Sequence, residues 1–134
     1  MEIVAALFID SIDLRPVPVP STRIDLSGVQ FSAAAPTEVP LTWAPHLVVI
    51  VRSVEGAKTT GALEVVYRWA DGSEDDEPVA RNVQLLEVEP GKFTYRLVRA
   101  ELEFSDYGTV MAQCRIDNGP TTTVPYTLLA PVAD

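Results

Sequence analysis

Apolar and polar residues along this chain trade places at every second position rather than every third or fourth, the period of a strand with one buried face. Glu2 to Leu14 places Ile3, Ala5, Leu7 and Ile9 on one face. Arg23 to Ser32 carries Ile24 and Leu26 and then, past Ser27-Gly28, Val29 and Phe31; the change of parity at the glycine predicts a bulge or bend. Leu47 to Val51 (LVVIV) is apolar on both faces, which suits a central strand covered on both sides or one with a face left for a partner. Leu63, Val65, Tyr67 and Trp69 alternate with Glu64, Val66 and Arg68, and Val79 to Val88 continues as a strand of blurred pattern. Lys92 to Phe104 reads as one long strand: Phe93, Tyr95 and Leu97 point one way, Val98, Ala100, Leu102 and Phe104 the other, with a bulge expected near Leu97. Val110, Ala112, Cys114 and Ile116 face the core, Asp117-Asn118-Gly119 predicts a hairpin turn of the primed type, and Val124, Tyr126 and Leu128 point inward from the last strand.

Turn residues separate these runs. Arg15 to Pro20 (RPVPVP) is extended and unable to join a central ladder, Ala33 to Pro45 is a loop with three prolines, Glu55 to Gly61 is a turn, and Asp71 to Pro78 (DGSEDDEP) is a solvated acidic turn. The chain has 11 prolines, which leave little room for long helices, and no window shows a helical apolar period. About seven to nine strands without helical spacers predict an antiparallel β-sandwich in a single domain spanning residues 1–134, with a β-barrel as the alternative closure.

Asp106-Tyr107-Gly108-Thr109-Val110-Met111-Ala112 resembles the turn into the penultimate strand of immunoglobulin-like domains, Asp-x-Gly-x-Tyr-x-Cys. Val110 stands at the Tyr position and Ala112 at the Cys position, so the tyrosine corner and inter-sheet disulfide of antibody domains are missing. A wider resemblance rests on ALFIDSIDL, HLVVIV, the ADG turn and the late YGTVMAQCRIDNG, which together look like a family of small uncharacterised bacterial β-sandwich proteins. RPVPVPST departs from that pattern where a Gly-rich turn is expected. The resemblance implies the fold; the family has no assigned activity, so it implies no chemistry.

With 134 residues, 47% of them hydrophobic, the chain is long enough to build a core without disulfide or metal staples. Its net charge of −9 argues against nucleic acid and anionic membrane as partners. The single cysteine, Cys114, rules out an intrachain disulfide and suits a cytoplasmic location. The opening apolar run stops at Asp10, too short for a membrane span and poorly flanked for export.

Chemistry is sparse. The one histidine, His46, could act as base to Cys114, but the inward parity of Cys114 favours an inert core thiol. Asp71, Glu74, Asp75, Asp76 and Glu77 lack the spacing of a calcium loop, and Asp10, Asp13 and Asp25 form a carboxylate set only if the fold gathers them. No cofactor-binding, phosphate-binding or catalytic motif is present, so no catalytic, metal or cofactor residues are assigned. The expectation is a non-catalytic interaction or assembly module with a protein partner or a homodimer. Its candidate surface is Val48, Ile50 and Val66, with Trp43 from the proline loop. The alternative is a small-ligand carrier with a pocket between the sheets or under the Ala33–Pro45 loop.

Overall fold

A computed structural model describes residues 1–134 except 20, 22, 55, 57, 133 and 134. Pro20 and Glu55, assigned from sequence to the extended segment and to a turn, lie outside the described residues. The described chain forms twelve strands and no helix: β1 (Glu2–Ile9), β2 (Ser11–Leu14), β3 (Ile24–Ser27), β4 (Ser32–Ala34), β5 (Leu41–Trp43), β6 (His46–Arg52), β7 (Thr60–Trp69), β8 (Ala80–Glu87), β9 (Phe93–Arg99), β10 (Leu102–Phe104), β11 (Gly108–Ile116) and β12 (Thr122–Leu129). They make a three-stranded sheet in the order β1-β6-β9, a five-stranded sheet in the order β4-β12-β11-β7-β8, and two short pairs, β2-β3 and β10-β5. Every pairing is antiparallel except β12 with β4.

Side chains from both larger sheets share one core. Phe8, Leu47, Val49, Val51 and Val98 from the three-stranded sheet join Leu63, Val65, Tyr67, Val110, Ala112, Cys114, Tyr126 and Leu128 from the five-stranded one, and Leu102 and Phe104 of β10 close the cluster. Each large aliphatic side chain so buried contributes about 1.5–3 kcal/mol. Phe8 meets Tyr126 at 5.0 Å between ring centroids, and Trp69 meets Phe104 edge-on at the same separation.

Several expected runs divide. Glu2–Leu14 breaks at Asp10, whose N–H donates to Ser27 and Gly28 carbonyls as the chain swings from β1 into the β2-β3 pair. Within β1 the residues of the shared core cluster are Ala6 and Phe8 rather than Ala5 and Leu7; Ile9 is buried as well but outside that cluster, and an irregularity between Ile3 and Ala5 returns Ile3 to the core side. A strand apolar on both faces carries no parity signal of its own, so alternation alone does not tell its core face from its outer one. The bend at Gly28 is present, with φ of +68°, but Val29 and Phe31 beyond it are exposed. The Ala33–Pro45 loop includes β4, in part, and β5. Lys92–Phe104 is two strands in different sheets, and β9 keeps one register through Arg99 without a bulge at Leu97. Phe93, Tyr95 and Leu97 form one face of β9 and Thr94, Arg96 and Val98 the other, while Leu102 and Phe104 belong to β10. The β11-β12 hairpin turns on Asp117 and Asn118, with φ of 49° and 65°, closed by the Gly119 N–H donating to the Ile116 carbonyl at 2.8 Å.

Candidate functional site

The four residues expected to form one surface are dispersed. Val48 and Ile50 lie on the face of β6 opposite Leu47 and Val49; Val48 is fully buried, flanked in register by Leu7 and Leu97, and Ile50 is half-buried. Val66 lies on β7, in the other sheet, on the face turned away from the core formed by Val65 and Tyr67. Trp43 is half-buried on β5 and packs against the core, its indole N–H donating to the Tyr126 hydroxyl at 2.9 Å. Val48, Ile50 and Val66 therefore share no exposed patch. The sequence carried no sign that β6 and β7 belong to different sheets.

What does gather around Ile50 is a cleft of about 630 Å³ on the outer face of the three-stranded sheet, within the usual range for binding sites. Its floor is Ile50 with Phe93 and Tyr95 of β9; its roof is Leu14, Val17 and Ile24 from the β2-β3 pair and the proline segment between them. Arg15 and Val17 of the proline segment thus lie over the sheet; its prolines supply no N–H to pair with a ladder, and the chain turns back at Pro18, whose carbonyl accepts from the Ser21 N–H at 2.9 Å. The two larger sheets meet through the packed core described above, and this cleft lies on the outer face of the three-stranded one rather than between them.

Arg15 and Arg23 stand at the cleft mouth. Both reach Asp25, Arg15 Nε at 2.5 Å and Arg23 Nε at 2.9 Å, so two guanidinium groups share one carboxylate. The hydrogen bond from Arg23 holds the Asp25 carboxyl below its ordinary range. Asp13 is the cross-strand neighbour of Asp25, a like-charge pairing that the arginines offset. Asp10 is apart from both, accepting a hydrogen bond from Gln30.

The cleft opens onto a free backbone edge. Phe93, Thr94 and Tyr95 all line it although successive residues face opposite ways, so it reaches around β9 to the strand's unpaired side. The Ser53 N–H donates to the Lys92 carbonyl at 3.0 Å, and antiparallel bonding alternates from there: even-numbered β9 residues bond β6 and odd-numbered ones turn their N–H and C=O outward. The Tyr95 carbonyl accordingly accepts from Arg96 Nη1 at 2.9 Å, within its own strand.

The other sequence candidates do not converge. His46 is exposed on β6, while Cys114 is fully buried on β11 with its thiol pushed up to about 12 by burial, so the two form no base–nucleophile pair. In the acidic turn the Asp76 carboxylate accepts from the Ser73 N–H at 2.9 Å, and Arg68 Nη1 donates to the Asp76 carbonyl at 2.8 Å. Among the described residues no three His, Cys, Asp or Glu side chains are placed to hold a metal ion, and no helix is long and apolar enough to cross a membrane. No protein-family model matches the chain, and no curated protein or solved structure is significantly similar to it.

Proposed function

We propose that this chain is a non-catalytic, cytoplasmic interaction module that binds an extended segment of a protein partner. The segment lies along the free edge of β9, sets an apolar side chain into the cleft over Ile50, Phe93 and Tyr95, and directs an acidic group to Arg15 and Arg23. One observation carries this: an apolar cleft whose mouth holds two arginines on one aspartate, beside backbone groups free to pair. Arg15 and Arg23 balance Asp25 and its cross-strand neighbour Asp13, and their remaining N–H donors favour an acidic partner group. We further read the fold as an immunoglobulin-like sandwich akin to the small bacterial family it resembles. In support, both sheets feed one core, and the Asp106 carboxylate accepts from the Tyr107 N–H at 2.8 Å in the turn that leads into β11.

Selection from a random-peptide display library tests the reading. Selected peptides are expected to join apolar residues to an Asp or Glu, and to lose binding at least about tenfold to the exposed-site variants Leu14→Asp and Arg23→Glu. Peptides that bind both variants as well as the parent, or a library that yields none, would overturn it.

A further inference from the structure

The second free edge belongs to β8, which pairs only with β7. The Val88 N–H donates to the Thr59 carbonyl at 2.7 Å. Alternation from that bonded pair makes the even-numbered residues of β8 bond β7 and leaves Arg81, Val83, Leu85 and Glu87 with backbone groups facing outward. The Leu85 carbonyl bears this out, since it is reached by Arg96 Nη2 of the facing sheet at 3.4 Å rather than by β7. These same four residues form the outward-facing side-chain row of β8, and Val83 and Leu85 are 54% and 81% exposed. Edge strands are usually blunted by lysine, proline or a bulge; β8 contains no lysine or proline, and its pairing with β7 runs without a register shift.

The row is complementary to itself. Antiparallel pairing of two β8 strands about a twofold axis at Gln84 sets Arg81 opposite the second copy's Glu87, Val83 opposite its Leu85, Leu85 opposite its Val83 and Glu87 opposite its Arg81. Those are the residues whose backbone groups point away from β7, so this register matches side chains and ladder together, with Gln84 facing Gln84 at the axis and the second copy's Val83 N–H taking the place of Arg96 at the Leu85 carbonyl. The charges agree as well. Glu64 holds both Arg81 and Arg115, which leaves a surplus positive charge beside this edge, whereas Glu87 makes no ion pair among the described residues. Arg81, with five N–H donors, can keep Glu64 and still take a second carboxylate.

We infer that β8 is a self-recognition edge, through which two copies of this chain join their five-stranded sheets into one continuous ten-stranded sheet across a twofold axis. The interface is isologous, so each salt bridge and each apolar pair occurs twice. It uses a different strand from the cleft over β6 and β9, although Arg96 of β9 bridges the two edges through the Tyr95 and Leu85 carbonyls.

Sedimentation equilibrium of three chains tests this. The parent is expected at the mass of two chains in the micromolar range. Glu87→Arg places Arg against Arg, and Arg81→Glu places Glu against Glu, so each variant alone is expected to sediment as a monomer, its self-affinity at least about tenfold weaker. Mixed together the two restore opposite charges at both ends of the ladder and are expected to form a heterodimer. Glu87 has no ion-pair partner within the described chain, so Glu87→Arg leaves the fold intact, and a matching circular dichroism melt verifies that. A parent that stays monomeric throughout this range overturns the inference, as does a dimer that survives Glu87→Arg or a mixture that fails to associate.

Discussion

Two tyrosines in the core make a matched pair. Tyr67 and Tyr126 are both fully buried, but the Tyr126 hydroxyl accepts from the Trp43 indole at 2.9 Å and faces Gln30 Oε1 at 3.4 Å, while the Tyr67 hydroxyl has no hydrogen-bond partner among the described residues. Burying a hydroxyl unpaired costs about 1–3 kcal/mol, and Phe fills the same space without it. Tyr67→Phe is therefore expected to stabilise the fold by about 1 kcal/mol. With an unfolding entropy of about 2.1 cal/mol/K per residue over 134 residues, that raises Tm by about 3–4 °C. Tyr126→Phe removes a bonded hydroxyl and strands the Trp43 N–H, so it is expected to cost about 1 kcal/mol or more. The assay is urea and thermal unfolding of the parent and both variants, compared at equal m-value so that the difference reports the folded state. Burial, aided by the neighbouring Cys114, also pushes the Tyr67 phenol well above its ordinary range, so an ultraviolet titration should leave Tyr67 un-ionised until the chain unfolds at high pH. If Tyr67→Phe destabilises as much as Tyr126→Phe does, the unpaired hydroxyl is not a cost and the reasoning fails.

Cys114 is expected to resist a thiol-specific chromogenic reagent at pH 8 in the folded chain and to react stoichiometrically in urea, because burial lifts its thiol to about 12. Since that value lies above the unfolded one, the contribution of Cys114 to stability is complete below the ordinary thiol range and falls as pH rises toward 12; Cys114→Ala should flatten that alkaline decline in denaturant melts. At acid pH the sign reverses. Burial raises the Glu64 carboxyl, but the hydrogen bonds and charges of Arg81 and Arg115 outweigh it and hold the group low, so its stabilisation is present above the ordinary carboxylate range and lost as pH falls through it. Glu64→Gln should remove that part of the acid dependence in melts run from neutral pH downward. Gly28→Ala is expected to cost about 1–2 kcal/mol in urea melts, since φ there is +68° and the added methyl would fall on the Asp10 carboxylate.

Strict alternation made β7, β11 and β12 readable, because each has one face in the core and one turned to water. Leu63, Val65, Tyr67, Val110, Ala112, Cys114, Tyr126 and Leu128 all lie where their spacing puts them. The Asp117-Asn118-Gly119 hairpin was readable too, as local backbone chemistry needs no distant information. The three-stranded sheet was harder. With apolar residues on both faces of β1, β6 and β9, parity could not separate the side facing the core from the outer side. The cleft was less legible still, since it depends on Leu14, Val17 and Ile24 meeting Ile50 and Tyr95 across long stretches of sequence. The LVVIV pattern signalled a covered second face; only the fold says that Arg15, Val17 and the flanking strands β2 and β3 lie over it. The self-matching row of β8 was in plain view, but its meaning depends on β8 being the last strand of its sheet.

The parallel pairing of β4 with β12 joins Ser32–Ala34 to Thr127–Leu129. A chain emerging from the ribosome must hold β4 without a partner until β12 has appeared, and β11 likewise waits for β12 on one side. Closing such a long loop comes late and carries a large entropic cost, so this topology belongs with the millisecond-to-second folders rather than the fast ones. In the meantime the nascent chain displays an unpaired edge of β11 carrying Val110, Met111 and Ile116, the kind of apolar surface that holding chaperones bind.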